Sequence, residues 1–456
     1  MQMLIPALGR FRWAFCQLQE LKRLKSTKPS NVGKALNNLP KTLDETYERM
    51  LTTIPDESRS DAVAMLRLLA FSREPPSLSE LAEITIIDWE EDGHVNTEDR
   101  AGFADALEIL AGLIIVVGAG GDHHHSFEMH DADRLEETSQ HVDGETRIRL
   151  AHFSVQEYLE SERIKQSNAH AFHFEKGREH RILTHSCLAY LTYYSGCDVR
   201  LSEEEDLETF PLLGYAASSW YYHSPLQQPS DVARELRFLS DQRIVKHWLM
   251  VEEVEYGPGK SEPLHFPMGS VLYYASILGL EAVVHELLKL KADPSTQGGD
   301  YGNALQAAYR EGYERIVQIL LDAGADVNAQ GGRYGNAIYA ACEAGCERIV
   351  QMLIAAGADT NAPAETYDGS TNALEEATRE HQMCQDSLRE AQGGDCEDWY
   401  GDRVSNEEMV AEEKRWRNIV QMLKEAGAVL PDRNEGVEED LDGSDSGVSW
   451  DEADDS

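Results

Sequence analysis

The seven cysteines include no Cys-x-x-Cys pair, so they fit neither a zinc site nor a disulfide framework. They read as reduced thiols of a cytoplasmic protein, and the closeness of Cys342 and Cys346 follows from a turn at Gly345. Long apolar runs are missing too. The longest, Leu107 to Ala119, contains Glu108 and is shorter than the roughly 18–20 residues a membrane crossing needs. Arg10 and Arg12 follow the short apolar stretch at the start instead of preceding it, so no secretory leader is expected. Basic residues are scarce: 41 Lys and Arg stand against 82 Asp and Glu, for a net charge of −41. That balance argues against nucleic acid or an anionic membrane as the main partner.

Catalytic constellations are also lacking. No Gly-x-Ser-x-Gly occurs, and no spacing places a nucleophile, a base and an orienting acid on one element. Gly259-Lys260-Ser261 resembles the end of a P-loop, but Val254 stands where the first glycine belongs and Pro258 removes a donor. The acidic run from Val251 to Glu255 would repel phosphate, and Gly118 to Gly121 leads into His123 and not into a helix. His123, His124, His125, His130 and His141 lie in a polar loop with no fixed scaffold. Neither a nucleotide cofactor nor a metal is therefore expected.

What is present is a repeat. Tyr301-Gly302-Asn303-Ala304 recurs as Tyr334-Gly335-Asn336-Ala337, and Glu314-Arg315-Ile316-Val317-Gln318 as Glu347-Arg348-Ile349-Val350-Gln351. Ala323-Gly324-Ala325-Asp326 recurs as Ala356-Gly357-Ala358-Asp359, all with a period of 33 residues. Such a period means one supersecondary unit stacked on its copies, which favours recognition over an enclosed catalytic pocket. The small face of Ala304, Leu305, Ala307 and Ala308 predicts a first helix, Gly312 a tight connection, and Ile316, Val317, Leu320 and Leu321 a second helix with a buried stripe. The unit resembles an ankyrin repeat. Asn303-Ala304-Leu305-Gln306 and Asn336-Ala337-Ile338-Tyr339 replace the family's Thr-Pro-Leu-His opening, which removes the histidine from its usual hydrogen bonds.

Two degenerate copies flank these. Val271 to Ala275 with Gly279, Val283, Val284, Leu287 and Leu288 forms an earlier one. Asn372 to Ala377 opens a later one, whose second helix arrives only at Ile419 to Leu423. The offset places an insertion at 381–411, rich in acids and holding Gly393-Gly394. It reads as a disordered loop at one end of the stack.

Residues 41–165 form another unit. Thr42 to Glu45, Ser77 to Glu80 and Ser154 to Glu157 each have the form of a capping box. Helices are expected from Thr42 through Leu51, over Asp61 to Phe71, from Ser77 through Ile84 and over Phe103 to Leu110. Leu113 to Val117 and Arg147 to Phe153 read as paired strands joined by a long polar loop. Helices followed by a hairpin is the order of a winged helix. Its third helix, Phe103 to Leu110, carries Asp105 and Glu108 and no base, so it suits packing and not DNA.

Leu39-Pro40-Lys41-Thr42-Leu43-Asp44-Glu45-Thr46-Tyr47 resembles the segment that follows the NACHT nucleotide-binding domain of fungal NOD-like receptors. Arg12 to Leu18 is similar to the last helices of that module, and Arg149 to Leu159 to the end of the receptors' winged helix. Phe210 to Ala217, with Trp220 and His223, resembles the helical spacer before their ankyrin arrays. The NACHT domain itself is missing. Met129-His130-Asp131 spells the family's nucleotide-sensing motif, whereas His152 matches its position better; with no nucleotide to face, His152 reads as a capped polar residue at the strand-to-helix turn.

The resemblance implies a mainly α protein: a helical remnant over 1–40, a winged-helix domain over 41–165, a helical spacer over 166–262, an α-solenoid of about four ankyrin repeats over 263–430, and a disordered acidic tail over 431–456. The tail holds eleven acids against one base, and residues 1–40 hold seven bases against one acid. The function implied is non-enzymatic binding of a protein ligand in fungal non-self recognition or signalling. The alternative is an NTP-dependent switch whose NACHT domain lies upstream or in a separate chain. Ankyrin partners meet turn tips and the exposed side of first helices, here Tyr301, Gln306, Tyr309, Arg310, Arg333, Tyr334, Tyr339 and Glu343. Tyrosine and arginine are also the types that dominate binding hot spots.

Overall fold

The computed structural model describes residues 13, 28, 36–37, 39–88, 93–100, 102–117, 144–197, 203–252, 254, 267–364, 372–391 and 406–430. The histidine-rich loop 123–141, the Gly259-Lys260-Ser261 stretch, the acidic tail and most of residues 1–40 lie outside them. The architecture is mainly α-helical, as the repeat pattern predicts. The chain divides into two compact units, residues 1–332 and 333–456. No helix among the described residues is long and apolar enough to cross a membrane.

The first unit opens with α1 (Leu43–Thr53), capped by Thr42 Oγ1, which accepts from Glu45 N at 3.1 Å. The reciprocal half of the expected box is displaced by one residue: Glu45 Oε2 accepts from Lys41 N at 2.7 Å. Helices α2 (Arg59–Phe71) and α3 (Leu78–Glu83) come next, and Ser77 with Glu80 completes both bonds of a capping box. A short antiparallel pair, β1 (Ile87–Asp88) with β2 (His94–Val95), precedes α4 (Phe103–Ile109). The expected hairpin is present: β3 (Ile114–Val117) pairs antiparallel with β4 (Arg147–Leu150), Ile114 opposite Leu150 and Val117 opposite Arg147.

Helix α5 (Phe153–Leu159) corrects the third box. Its cap is His152, whose Nδ1 accepts from Ser154 N at 3.2 Å, so Ser154 lies inside the first turn. Ser154 Oγ instead shares a 2.9 Å hydrogen bond with Tyr47 Oη on α1.

The hub of this unit is α6 (Lys176–Gly196), which buries twelve of its 21 residues. Two buried acids tie the preceding helices to it. Arg67 on α2 donates from Nε to Glu179 Oε2 at 2.5 Å. Glu83 takes Arg100 on both oxygens, at 2.7 and 2.8 Å, and the Tyr190 hydroxyl at 2.6 Å. Beyond it come α7 (Glu203–Thr209), α8 (Leu213–His223), α9 (Ala233–Ser240) and α10 (Gln242–Leu249). Trp220, Phe238 and Trp248 form a mutual aromatic cluster among α8, α9 and α10. His180 on α6 and His223 on α8 share a hydrogen bond between their Nδ1 atoms at 2.9 Å, and His223 Nε2 meets Tyr215 Oη at 2.8 Å.

The same unit ends in two helix pairs of the repeat: α11 (Val271–Ile277) with α12 (Glu281–Lys289), and α13 (Ala304–Arg310) with α14 (Glu314–Asp322). Ile316, Val317 and Leu320 are buried, while Leu321 is only half-buried. The second unit holds α15 (Ala337–Glu343) with α16 (Glu347–Ala355), and α17 (Ala373–Ala391) with α18 (Asn406–Glu425).

The last pair corrects the reading of 381–411 as a loop at both of its described ends. Residues 381–391 continue α17 and residues 406–411 begin α18; residues 392–405 lie outside the described set. The added residues extend the repeat's own helices because His381 and Gln385 on α17 meet Glu413 on α18, which also binds Arg417. A helical hairpin leaves fewer backbone groups without partners than an open loop does. The insertion also preserves register. Trp416 lies three residues ahead of Ile419 as Tyr313 lies three ahead of Ile316, and the two rings do the same work. A Cβ on Gly279 would come within 2.7 Å of the Tyr313 ring, and one on Gly345 within 3.0 Å of the Trp416 ring.

Burial makes the stability of the first unit depend on pH. It holds the imidazoles of His180 and His223 at about 4 and about 3. Both are therefore neutral in the folded chain where unfolded histidine, at 6.5, would take a proton. Their contribution is complete above pH 6.5 and is lost as pH falls toward 4. The thermal midpoint of the wild type should drop between pH 7 and pH 5, and His223→Phe should flatten that drop.

Backbone geometry singles out Lys291, which stands where the equivalent positions hold Gly324, Gly357 and Gly427. It has φ 68°, against 85°, 88° and 90° for the glycines. A left-handed non-glycine residue costs about 1–2 kcal/mol, and glycine's extra unfolded entropy returns part of that. Lys291→Gly should thus stabilise the protein by about 0.5–1 kcal/mol in chemical denaturation.

Candidate protein-binding surface

Each repeat begins with a turn, and the two best-formed turns carry paired glycines. Gly298 N donates to Gly302 O at 2.8 Å, and Gly299 N reaches back to Pro267 O at 2.7 Å. One repeat on, Gly332 lies so close to the preceding turn that a Cβ there would sit 2.2 Å from Tyr301 C. With φ at 69°, Gly332 also needs the left-handed region that glycine enters freely. The turns thus approach backbone to backbone, which only glycine permits.

In three of the four repeats a side-chain amide holds the backbone that follows. Asn303 Oδ1 caps its helix by accepting from Gln306 N at 2.9 Å. Gln306 Nε2 then donates to Gly331 O at 3.1 Å. In the next repeat Asn336 does both jobs, with Oδ1 accepting from Tyr339 N at 2.9 Å and Nδ2 donating to Pro363 O at 2.9 Å. Asn372 repeats this pattern toward Glu375 N and Val429 O.

These roles divide the eight residues expected at the surface. Tyr301, Gln306, Tyr309 and Tyr339 are buried, with Tyr309 at 0% exposure. They belong to the core, because helix packing covers the face that the repeat pattern left open. Tyr301 N donates to Tyr273 Oη at 3.3 Å, and Tyr339 Oη donates to the buried Glu376 at 3.1 Å. Arg310, Arg333, Tyr334 and Glu343 remain half-exposed. In the first unit Arg310 is followed by exposed Glu311 and Tyr313, neither of which the repeat pattern singles out. In the second unit the Tyr334 ring lies 6.4 Å from that of Tyr339, so a buried ring backs a half-exposed one. A signal for the buried set existed: Tyr309 aligns with Ser276, Cys342 and Thr378, small polar residues suited to close packing.

No group of three or more His, Cys, Asp or Glu able to hold a metal occurs among the described residues. The described cysteines are all free, and burial pushes the Cys342 thiol well above its ordinary value. His152 caps α5, with its ring 4.2 Å from that of Phe153.

Residues 272–364 match the family model for ankyrin repeats, in three copies. The chain therefore contains an interaction fold with no chemistry of its own. Over 315 residues it is 34% identical to the azaphilone pigments biosynthesis cluster protein L of Monascus ruber. That alignment covers 64% of this chain and 61% of the relative, so the chain spans less than two thirds of the relative's length.

Substitutions separate scaffold from surface. The Tyr309 hydroxyl is buried with no hydrogen-bond partner among the described residues, and an unsatisfied buried hydroxyl costs about 1–3 kcal/mol. Tyr309→Phe should leave stability unchanged or raise it by about 1 kcal/mol. Gln306→Ala, which strands the Gly331 carbonyl, should lower it by about 1–2 kcal/mol in urea unfolding.

Proposed function

We propose that this chain is a non-enzymatic recognition protein whose ankyrin repeats bind a protein ligand, in the manner of the C-terminal part of a fungal NOD-like receptor. The observation that carries the reading is the set of ankyrin repeats. Their turns are held by glycine contacts and side-chain amides, and Arg333 and Tyr334 on a turn and Arg310 and Glu343 at the ends of first helices are half-exposed. Rigid backbone presenting arginine and tyrosine is what a binding hot spot needs. The helices and hairpin over residues 43–159, in winged-helix order, and the α6–α10 segment support the receptor-like arrangement of parts. The winged-helix part acts in packing, since α4 presents Asp105 and Glu108 and no base. A cytoplasmic setting accords with this reading.

The relative's name assigns it to a pigment biosynthesis cluster. Carried to this chain, that suggests proteins encoded beside its gene as first candidates for the ligand. The test is capture of such candidates by the wild-type protein, by Arg310→Ala, and by the double variant Arg333→Ala with Tyr334→Ala. Loss of a hot-spot residue should weaken capture by about thirtyfold or more, with the unfolding midpoint preserved. Undiminished capture by both folded variants would move the binding site off the repeats.

A further inference from the structure

The loop ahead of α9 contains a buried polar cluster that the recognition surface does not use. Glu235 on α9 is fully buried, and Gln227 and Ser224 beside it are buried too. Glu235 Oε1 accepts from Ser224 Oγ at 2.8 Å and from Gln227 Nε2 at 2.6 Å. Two oxygens of the same cluster, Glu235 Oε2 and Gln227 Oε1, are buried and have no donor among the described residues.

Both orphans are acceptors if Glu235 is ionised. They belong to the two head groups that already share the Nε2–Oε1 bond. A carboxyl and a carboxamide joined by one such bond complete a ring when the acid keeps its proton. The second oxygen of the acid then donates to the amide oxygen, and both orphans are satisfied by one bond. An ionised Glu235 would instead be a buried charge without a cation, a costly arrangement.

We propose that Glu235 is a proton-binding site, held as the neutral acid. Its Oε2–H donates to Gln227 Oε1 and closes a carboxyl–carboxamide ring that latches α9 to the turn at residues 224–227.

The surroundings agree. No Lys, Arg or His among the described residues pairs with Glu235. The charge that acts on it is the like-signed Asp231, and burial is the larger influence raising its pKa. Of the elements packed on α9, the turn at 224–226 and helix α11 carry no charged side chain. Helix α8, which meets α9 through Trp220 and Phe238, brings His223, held by burial at about 3 and therefore neutral. Helix α6 brings Arg181 and His185; burial chiefly, with help from Arg234 and Arg181, holds His185 near 4 and therefore neutral. Helix α10 brings Arg243, Lys246 and His247, and His247 Nδ1 is bonded to Ser195 Oγ at 2.8 Å.

The latch joins three parts of the first unit, since α9 packs against the hub α6, against α10 and against α11, the opening helix of the first repeat. Loss of the proton would set two buried oxygens against each other and loosen that junction. The first unit would thus carry an alkaline-sensitive contact where its helical segment meets the repeats.

The sign comes from linkage. A carboxyl whose folded pKa is raised contributes stability that is complete below its unfolded value near 4.5, and that contribution is lost as pH rises through the folded value. Glu235→Gln keeps the shape, the donor and the acceptor but cannot ionise. Its unfolding midpoint should match the wild type at pH 4 and exceed it increasingly up to pH 8. A difference independent of pH, or a variant that loses ground as pH rises, overturns the proposal. A second measurement does not depend on that variant folding. At pH 7.5 the wild type should show a protonated-carboxyl C=O stretching band in the infrared, and Gln227→Leu, which removes its partner, should shift that band. No such band in the wild type, or one indifferent to Gln227→Leu, overturns the proposal equally.

Discussion

One constraint governs the repeats: a turn that leaves its helix must find donors for carbonyls that no helix or sheet will satisfy. Here a side-chain amide meets it in three of the four repeats. Gln306 reaches Gly331, Asn336 reaches Pro363 and Asn372 reaches Val429. Because a primary amide has two donors and an acceptor, asparagine can cap its own helix and hold the next turn at once. That economy frees the neighbouring position. Where Gln306 spends its amide on the turn, Tyr339 can send its hydroxyl to Glu376. The glycines complete the arrangement, since an amide of this reach works only if the turns approach closely enough to be spanned.

The first unit applies the same rule with charge. Glu179 and Glu83 are buried on or beside the hub helix, and each has a cation and the geometry to keep it: Arg67 in one case, Arg100 with Tyr190 in the other. Removing either arginine would leave an uncompensated buried carboxylate, a larger loss than the pair's own contribution. These pairs are better seen as fixing which surfaces meet than as sources of stability. The bulk of the stabilisation comes from apolar groups such as Trp220, Trp248 and Phe238.

Much of the fold was legible. The 33-residue period located the helix pairs, and Asn303, Gly312 and Gly324 marked their ends as the structure has them. Thr42 and Ser77 announced α1 and α3. What escaped was anything set by tertiary contact. The burial of Tyr309 depends on which helix face is covered, and a repeat pattern shows only that some face is. Acidic composition suggested a loop over 381–411, yet residues 381–391 are helical, where Glu413 gathers His381 and Gln385 and also holds Arg417. His152 took the cap expected of Ser154 because an imidazole nitrogen can accept the same bond. Of the eight candidate surface residues, Arg310, Arg333, Tyr334 and Glu343 are half-exposed and the other four sank into the core.

The long final helix pair has a geometric consequence. At about 1.5 Å per residue, α17 is about 28 Å long, where the first helices of the other repeats, of seven residues each, span about 10 Å. The added length leaves and returns between the two helices while Trp416 keeps its seat on Gly345. Chain can therefore be added or removed there in whole helical turns with the repeat's anchor undisturbed. The hairpin is a graduated rod whose reach evolution, or a designer grafting a reporter, can set independently of the repeat beneath it.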